Sequence, residues 1–239
     1  MNTAPPRGWL LLPVAVLLAA PFCRAQAPAV PTCAGPGTER WPVKTSVPDG
    51  TDFTAAKTLG LNDLLALAQP TDVQHNDPRY QDARIPKSSN SSDVKEGDLV
   101  TTTGFLYLVA TETDCDYHIQ ISNQPRTTTD HPTANDDCIV VEAPRPDLVP
   151  SADLQQKVTA LRDYIKTKIM RGAEPSNNGS VMIHSVCVRV TGQLFYDDAH
   201  VGKGGKVELR GKKGMHSQTL WELHPITDFQ IVPAAQCTF

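Results

Sequence analysis

Two pairs of residues could do chemistry by their type and spacing. Asp116 and His118 lie two apart in a stretch that alternates like a strand, and Glu222 and His224 repeat the pattern near the C-terminus. Side chains at i and i+2 leave a strand on the same face, so each pair presents a carboxylate beside an imidazole. Two histidines and two carboxylates are a ligand set for Zn²⁺ or a similar divalent metal, and equally an acid–base set. A metal-dependent hydrolase, nuclease-like in type, is one reading. The plainer one lets each histidine hydrogen-bond locally and hold a strand end.

A second feature is the segment His200–His216, where five glycines are interspersed with Lys203, Lys206, Arg210, Lys212 and Lys213. Such a segment is either a solvated loop or a focus for an anionic ligand. No nucleophile elbow, phosphate-binding loop, dinucleotide turn or zincin helix occurs in the chain.

Arg7 precedes the apolar run Leu10–Ala20, and Cys23 and Ala25 suit the positions before a signal-peptidase cut. Such a run is too short to span a bilayer. Residues 1–25 therefore read as a signal peptide, with a mature chain starting near Gln26, and no later stretch is long enough to cross a membrane. Removing Arg7 and Arg24 leaves 20 of the 22 Lys and Arg against 26 Asp and Glu, a net charge of −6. That balance argues against a general nucleic-acid or acidic-membrane binder. Cys33, Cys115, Cys138, Cys187 and Cys237 remain, and an oxidising compartment, periplasmic or extracellular, predicts two disulfides and one leftover thiol. Connectivity is open among 5 × 3 = 15 arrangements, with a Cys33–Cys237 tie across the termini as the first expectation.

The elements that must position these residues follow a simple order. Residues 26–37 read as a flexible leader, and 38–98 as an irregular arm with one short helix near Leu61–Ala68. Dense β signal begins at 99–110. In 116–122, Tyr117, Ile119 and Ile121 face one way and Asp116, His118 and Gln120 the other. A polar loop, 123–137, leads to a strand at Cys138–Ala143. A helix capped by Ser151 carries Leu154, Val158, Leu161, Ile165 and Ile169 on one stripe. A long strand, 181–196, follows with Val186, Val188 and Val190 inward and Gly192 as a bulge. The last strand, about 219–232, places Leu223, Phe229 and Ile231 on one face.

The order β-β-β-α-β-β over residues 99–239 is that of the OB-fold, a mainly β, five-stranded Greek-key barrel with a helix between strands three and four. In that topology strand 138–143 lies between the strands bearing the two pairs. Asp116 and His118 then approach Glu142, while His224 sits toward Cys138, away from the other pair. The outer face of these strands and the loops 123–137 and 199–216 form the expected contact surface.

Three segments carry a resemblance: Glu39-Arg40-Trp41-Pro42-Val43-Lys44-Thr45, Asp114-Cys115-Asp116-Tyr117-His118-Ile119 and Glu222-Leu223-His224-Pro225. Together they resemble a largely uncharacterised group of secreted bacterial proteins with E-R-W-P-V-K-T, D-x-D-x-H and E-[LI]-H-P segments, over roughly residues 38–232. The resemblance implies a bacterial origin and an OB-like body and brings no activity with it. The leading expectation is thus an exported, non-catalytic OB-fold module binding an anionic ligand or a protein partner. The metal-dependent hydrolase comes second and a structural envelope protein third.

Overall fold

The computed structural model describes Met1, Cys33, residues 39–86, 93–133 and 137–237, and Phe239. Met1 and Cys33 apart, the segments expected to be a signal peptide and a leader lie outside the described residues. β-branched and aromatic runs form most of the strands: β1 (Lys57–Thr58), β2 (Leu99–Thr111), β3 (Tyr117–Ser122), β4 (Cys138–Ala143), β5 (Ser180–Tyr196) and β6 (Trp221–Ile231). They make one six-stranded sheet in the order β1-β2-β3-β4-β6-β5, and β5 also pairs with β2. The short helices α1 (Trp41–Lys44) and α2 (Leu61–Leu65) lie in the arm, and α3 (Ala152–Tyr164) connects β4 to β5. The chain is mainly β.

Local chemistry accounts for the elements. Tyr117, Ile119 and Ile121 enter the main core with Ile139, Val141, Val188, Val190 and Leu223. The Ser151 hydroxyl accepts the Leu154 N–H at 3.4 Å, capping α3 as expected. Beyond Tyr164 the helix widens into a π-type turn over Ile165–Ile169, with Ile165 still buried. Gly192 is a bulge: the β5–β6 register shifts on both sides of it. A Cβ there would lie 3.0 Å from Ile226 Cα, Leu223 Cβ and the Pro225 carbonyl oxygen, so the strands can close only on glycine.

Two expectations are corrected. Ile231 does not share the core face with Leu223 and Phe229; it is 45% exposed because it ends β6 beyond the apolar layer. Cys33 bonds Cys115, and Cys187 bonds Cys237, in place of a Cys33–Cys237 tie. The turn before β3 and the middle of β5, not the opposite terminus, lie within disulfide reach, with Cα separations of 5.4 and 5.9 Å. Cys138 stays unpaired in a small apolar cluster with Tyr107, Leu108, Ala110 and Met215. The arm puts Leu61, Leu64, Val73, Ile85 and Val94 into the main core and adds β1 beside β2.

The arm is also held by a buried ion pair. Arg40 and Glu96 are both fully enclosed, joined by two hydrogen bonds of 2.6 and 2.7 Å. The remaining guanidinium N–H groups reach the carbonyls of Tyr80, Ala83 and Tyr196 at 2.6–2.9 Å, so all five donors are used. Glu96 in turn accepts the Tyr196 and Ile85 N–H groups. Two disulfides agree with an oxidising destination. Among the described residues no helix is long and apolar enough to cross a membrane.

Candidate metal site

Strand register decides whether the two His–carboxylate pairs meet. Antiparallel pairing sets His118 opposite Glu142. Parallel pairing sets Glu222 beside Val140 and Leu223 beside Val141, which carries His224 to the level of Glu142. The separation expected from sequence, with His224 near Cys138, is therefore overturned. Asp116, His118, Glu222 and His224 converge, and Glu142 links them.

The contacts are close. His118 Nδ1 lies 2.9 Å from Glu142 Oε1 and 3.3 Å from Glu112 Oε1. His224 Nδ1 lies 3.2 Å from Glu142 Oε2 and 3.1 Å from Glu222 Oε1. On its other side His224 Nε2 faces Asp116 Oδ2 across 3.6 Å. Asp116 is held by the Arg145 N–H at 2.8 Å. These side chains point away from the core, as alternation requires, yet all four sequence candidates are buried. Lys44 from the arm and Asp197 and Arg210 from the β5–β6 connection lie over them. Phe195 packs against both the Arg40 guanidinium, at 4.9 Å, and the His224 ring, at 5.8 Å.

The basic segment divides in two. Arg210 is buried, bonded to Glu222 at 2.6 Å and to Asp197, which also binds His200 Nδ1 at 2.7 Å. Lys212 Nζ lies 3.2 Å from Glu112, and its backbone N–H donates to the Gln120 side chain. Between them Gly211 has φ +132°, and a Cβ there would sit 2.2 Å from the Met215 carbonyl oxygen. Only glycine permits the fold that turns Arg210 and Lys212 onto the carboxylates. Lys203, Lys206 and Lys213 remain exposed. A single ligand-binding set of five cations is not what the segment forms, because two of the five are neutralised internally.

A cavity of about 380 Å³ opens in front of His118 and Glu142. Its wall carries six carboxylates, Glu39, Glu112, Asp114, Glu142, Asp197 and Glu222, against Lys44, Arg210 and Lys212. Burial would raise Glu142, but hydrogen bonds from His118 and His224 outweigh it and hold the carboxyl well below its ordinary range. Burial would likewise lower His224, but Asp116, Glu142 and Glu222 hold it well above the usual imidazole value. Burial and then the neighbouring carboxylates Glu142 and Asp116 raise Glu112 and Asp114 respectively.

Two triads have the makings of metal sites, Glu112–His118–Glu142 and Asp116–Glu142–His224, each with ligand atoms within 4.8 Å of one another. Ligands bonded at about 2.1 Å to one ion, at angles of 90–109°, stand roughly 3.0–3.4 Å apart. The 3.3 Å between His118 Nδ1 and Glu112 Oε1 meets that spacing, while the 2.9 Å to Glu142 Oε1 is a hydrogen-bond length just below it. Glu112 is not singled out by the sequence, and Lys44 appears there only within the Glu39–Thr45 segment. Glu142 is reached through the strand order, which sets it beside Asp116 and His118, and the register places it opposite His118. The three segments behind the sequence resemblance all reach this site, through Lys44, through Asp114, Asp116 and His118, and through Glu222 and His224. No family model and no curated protein matches the chain.

Proposed function

We propose that this protein is an exported OB-type barrel module that binds a divalent cation through Glu112, His118 and Glu142, at the floor of the cavity. The ring of pairings β2-β3-β4-β6-β5, returning to β2, with α3 between β4 and β5, supports the barrel. The two disulfides and the apolar N-terminal run support export. Membership of the secreted bacterial group is part of the same proposal, since its three segments supply one site.

The observation that carries the cation reading is Glu142, whose two oxygens are each engaged by a different imidazole. The wall charge points the same way. Six carboxylates against three Lys and Arg favour a cation over the anionic ligand, for which only Lys203, Lys206 and Lys213 stay free of the acidic cluster. An ion open to a cavity can bind and acidify water, so the hydrolase reading follows directly from this one.

The test is metal content after equilibration with excess Mn²⁺ or Zn²⁺ and removal of free ion, on wild type, Glu112→Gln and His118→Ala. Circular dichroism checks that each variant is folded. Wild type is expected to retain at least one ion per chain, and both variants to bind at least tenfold more weakly, the lower bound for losing a ligand or its support. Substoichiometric metal in wild type refutes the proposal.

A further inference from the structure

The N-terminal half of β5 has a strand on one side only. β2 pairs with it from Ser180 to Gln193, whereas β6 reaches no further than Val188, opposite Ile231. The Val232 N–H closes on the Cys187 carbonyl, and the chain then turns away at Pro233 into a short 3-10 helix, Ala234–Gln236. Before Cys187 no strand lies on that side of β5 among the described residues; a loop N–H, from Thr128, takes the Met182 carbonyl at 3.0 Å. Between the pairs Leu106–Val186 and Leu108–Val181, four β5 residues stand against one of β2, so the strand bulges. Ile183, His184 and Ser185 are exposed there, Ile183 by 61%.

A groove of about 300 Å³ runs beside this edge. Ile169 and Met170 line it from the end of the π-type turn, Val181, Ile183 and Val186 from β5, and Ile231 from β6. Its charge is of one sign. Lys168 and Arg171 line it together with His184, and no Asp or Glu does so among the described residues. Lys166 nearby is paired with Glu174, but Lys168 and Arg171 have no ion-pair partner among the described residues. In a chain with 26 Asp and Glu against 22 Lys and Arg, this is a local reversal of charge. Exposed apolar surface with a polar rim marks an interaction site.

We propose that this edge and groove take an extended peptide of another protein, apolar in its middle and acidic at its flanks, added as a strand to β5. Bare strand backbone supplies main-chain hydrogen bonds, and the groove receives alternate side chains. Lys168 and Arg171 receive the carboxylates. From Val181 to Cys187 the open edge spans about 20 Å at roughly 3.3 Å per residue. A second copy fits worse, because a two-fold contact through this edge would bring Lys168 and Arg171 of both copies together. A lipid surface fits worse too, since it leaves backbone N–H and C=O groups unsatisfied. The groove shares no residue with the cation cavity, so the two sites stand or fall separately.

The probe is a fluorescently labelled peptide of alternating valine and threonine with a pair of aspartates at each end. Its twin carries lysines in place of the aspartates. Fluorescence anisotropy on the full chain should show saturable binding of the acidic peptide and about tenfold weaker binding of the twin at low salt, the difference shrinking as salt is raised. Lys168→Glu with Arg171→Glu should reverse the preference, and Ile183→Ser should weaken both peptides. Amide hydrogen exchange at Ile183–Val186 should slow in the complex. All three positions are exposed, and circular dichroism checks the fold. No saturable binding, equal affinity for the two peptides, or binding that leaves these amides unprotected overturns the proposal. A wild-type dimer in sedimentation that Ile183→Ser abolishes assigns the edge to a second copy. Binding to phosphatidylglycerol vesicles that Ile183→Ser abolishes assigns it to lipid, and either result overturns the peptide. If a variant fails to fold, the wild-type preference and exchange pattern still decide.

Discussion

Removing Arg40 should unseat the arm, and the size of the effect follows from its surroundings. The guanidinium spends all five N–H groups, two on Glu96 and three on carbonyls, with no exposure to water. Arg40→Met keeps much of the stem but leaves Glu96 as a buried carboxylate whose charge is answered only by the Tyr196 and Ile85 N–H groups. Breaking one side of such a pair costs about 3–5 kcal/mol. At roughly 2–4 °C per kcal/mol for a domain of this size, Tm should fall by about 6–20 °C. Replacing both partners removes the orphaned charge, so Arg40→Met with Glu96→Leu should cost clearly less than the two single changes together. Urea melts at neutral pH, with disulfides intact, measure all four proteins. If Arg40→Met lies within about 1 kcal/mol of wild type, or the two changes simply add, the ion pair is not what holds the arm.

Other perturbations separate the site from the scaffold. Each disulfide closes a long loop, 82 residues for Cys33–Cys115 and 50 for Cys187–Cys237, and losing either should cost on the order of 4 kcal/mol. Only Cys33→Ser with Cys115→Ser should also weaken Mn²⁺ binding in calorimetry, because Cys115 lies between Asp114 and Asp116; an equal loss on breaking Cys187–Cys237 would contradict this. Burial lifts the Asp198 carboxyl to about 6, from 3.8, so the folded state holds a proton that the unfolded state has released. Stability therefore falls as pH rises through this window. Asp198→Asn, which mimics the protonated form, should add about 1 kcal/mol at pH 7.5 and nothing near pH 4, and an equal gain at both pH values in urea melts would be contrary. Gly192→Ala should cost about 1–3 kcal/mol through its three 3.0 Å contacts, and a melt unchanged from wild type would refute the close-approach argument.

Period-2 alternation made the sheet legible. Cys138–Ala143 is the strand the apolar run predicts, and Ser151 caps the helix it was expected to cap. β1 was not legible because two residues carry no period. At the site, residue types were readable and their meeting was not. Whether His224 reaches Glu142 depends on a parallel register set by packing between distant strands, which nothing local in Glu222–Pro225 encodes. The burial of Arg40 depends on a partner 56 residues away. Disulfide pairing is similarly a property of the folded sheet, not of cysteine spacing.

The smallest strand has a consequence for how the protein behaves in company. β2 runs beside β5 from Leu99 to Val109, but β3 joins its other side only from Phe105 onward. β1 pairs with Val100 and Thr101, within the stretch that β3 leaves open. An unpaired stretch of β-branched backbone is a template for another chain's strand. Lys57 and Thr58 thus act as a stopper against self-association, and the arm protects the fold from its own copies as well as covering the site.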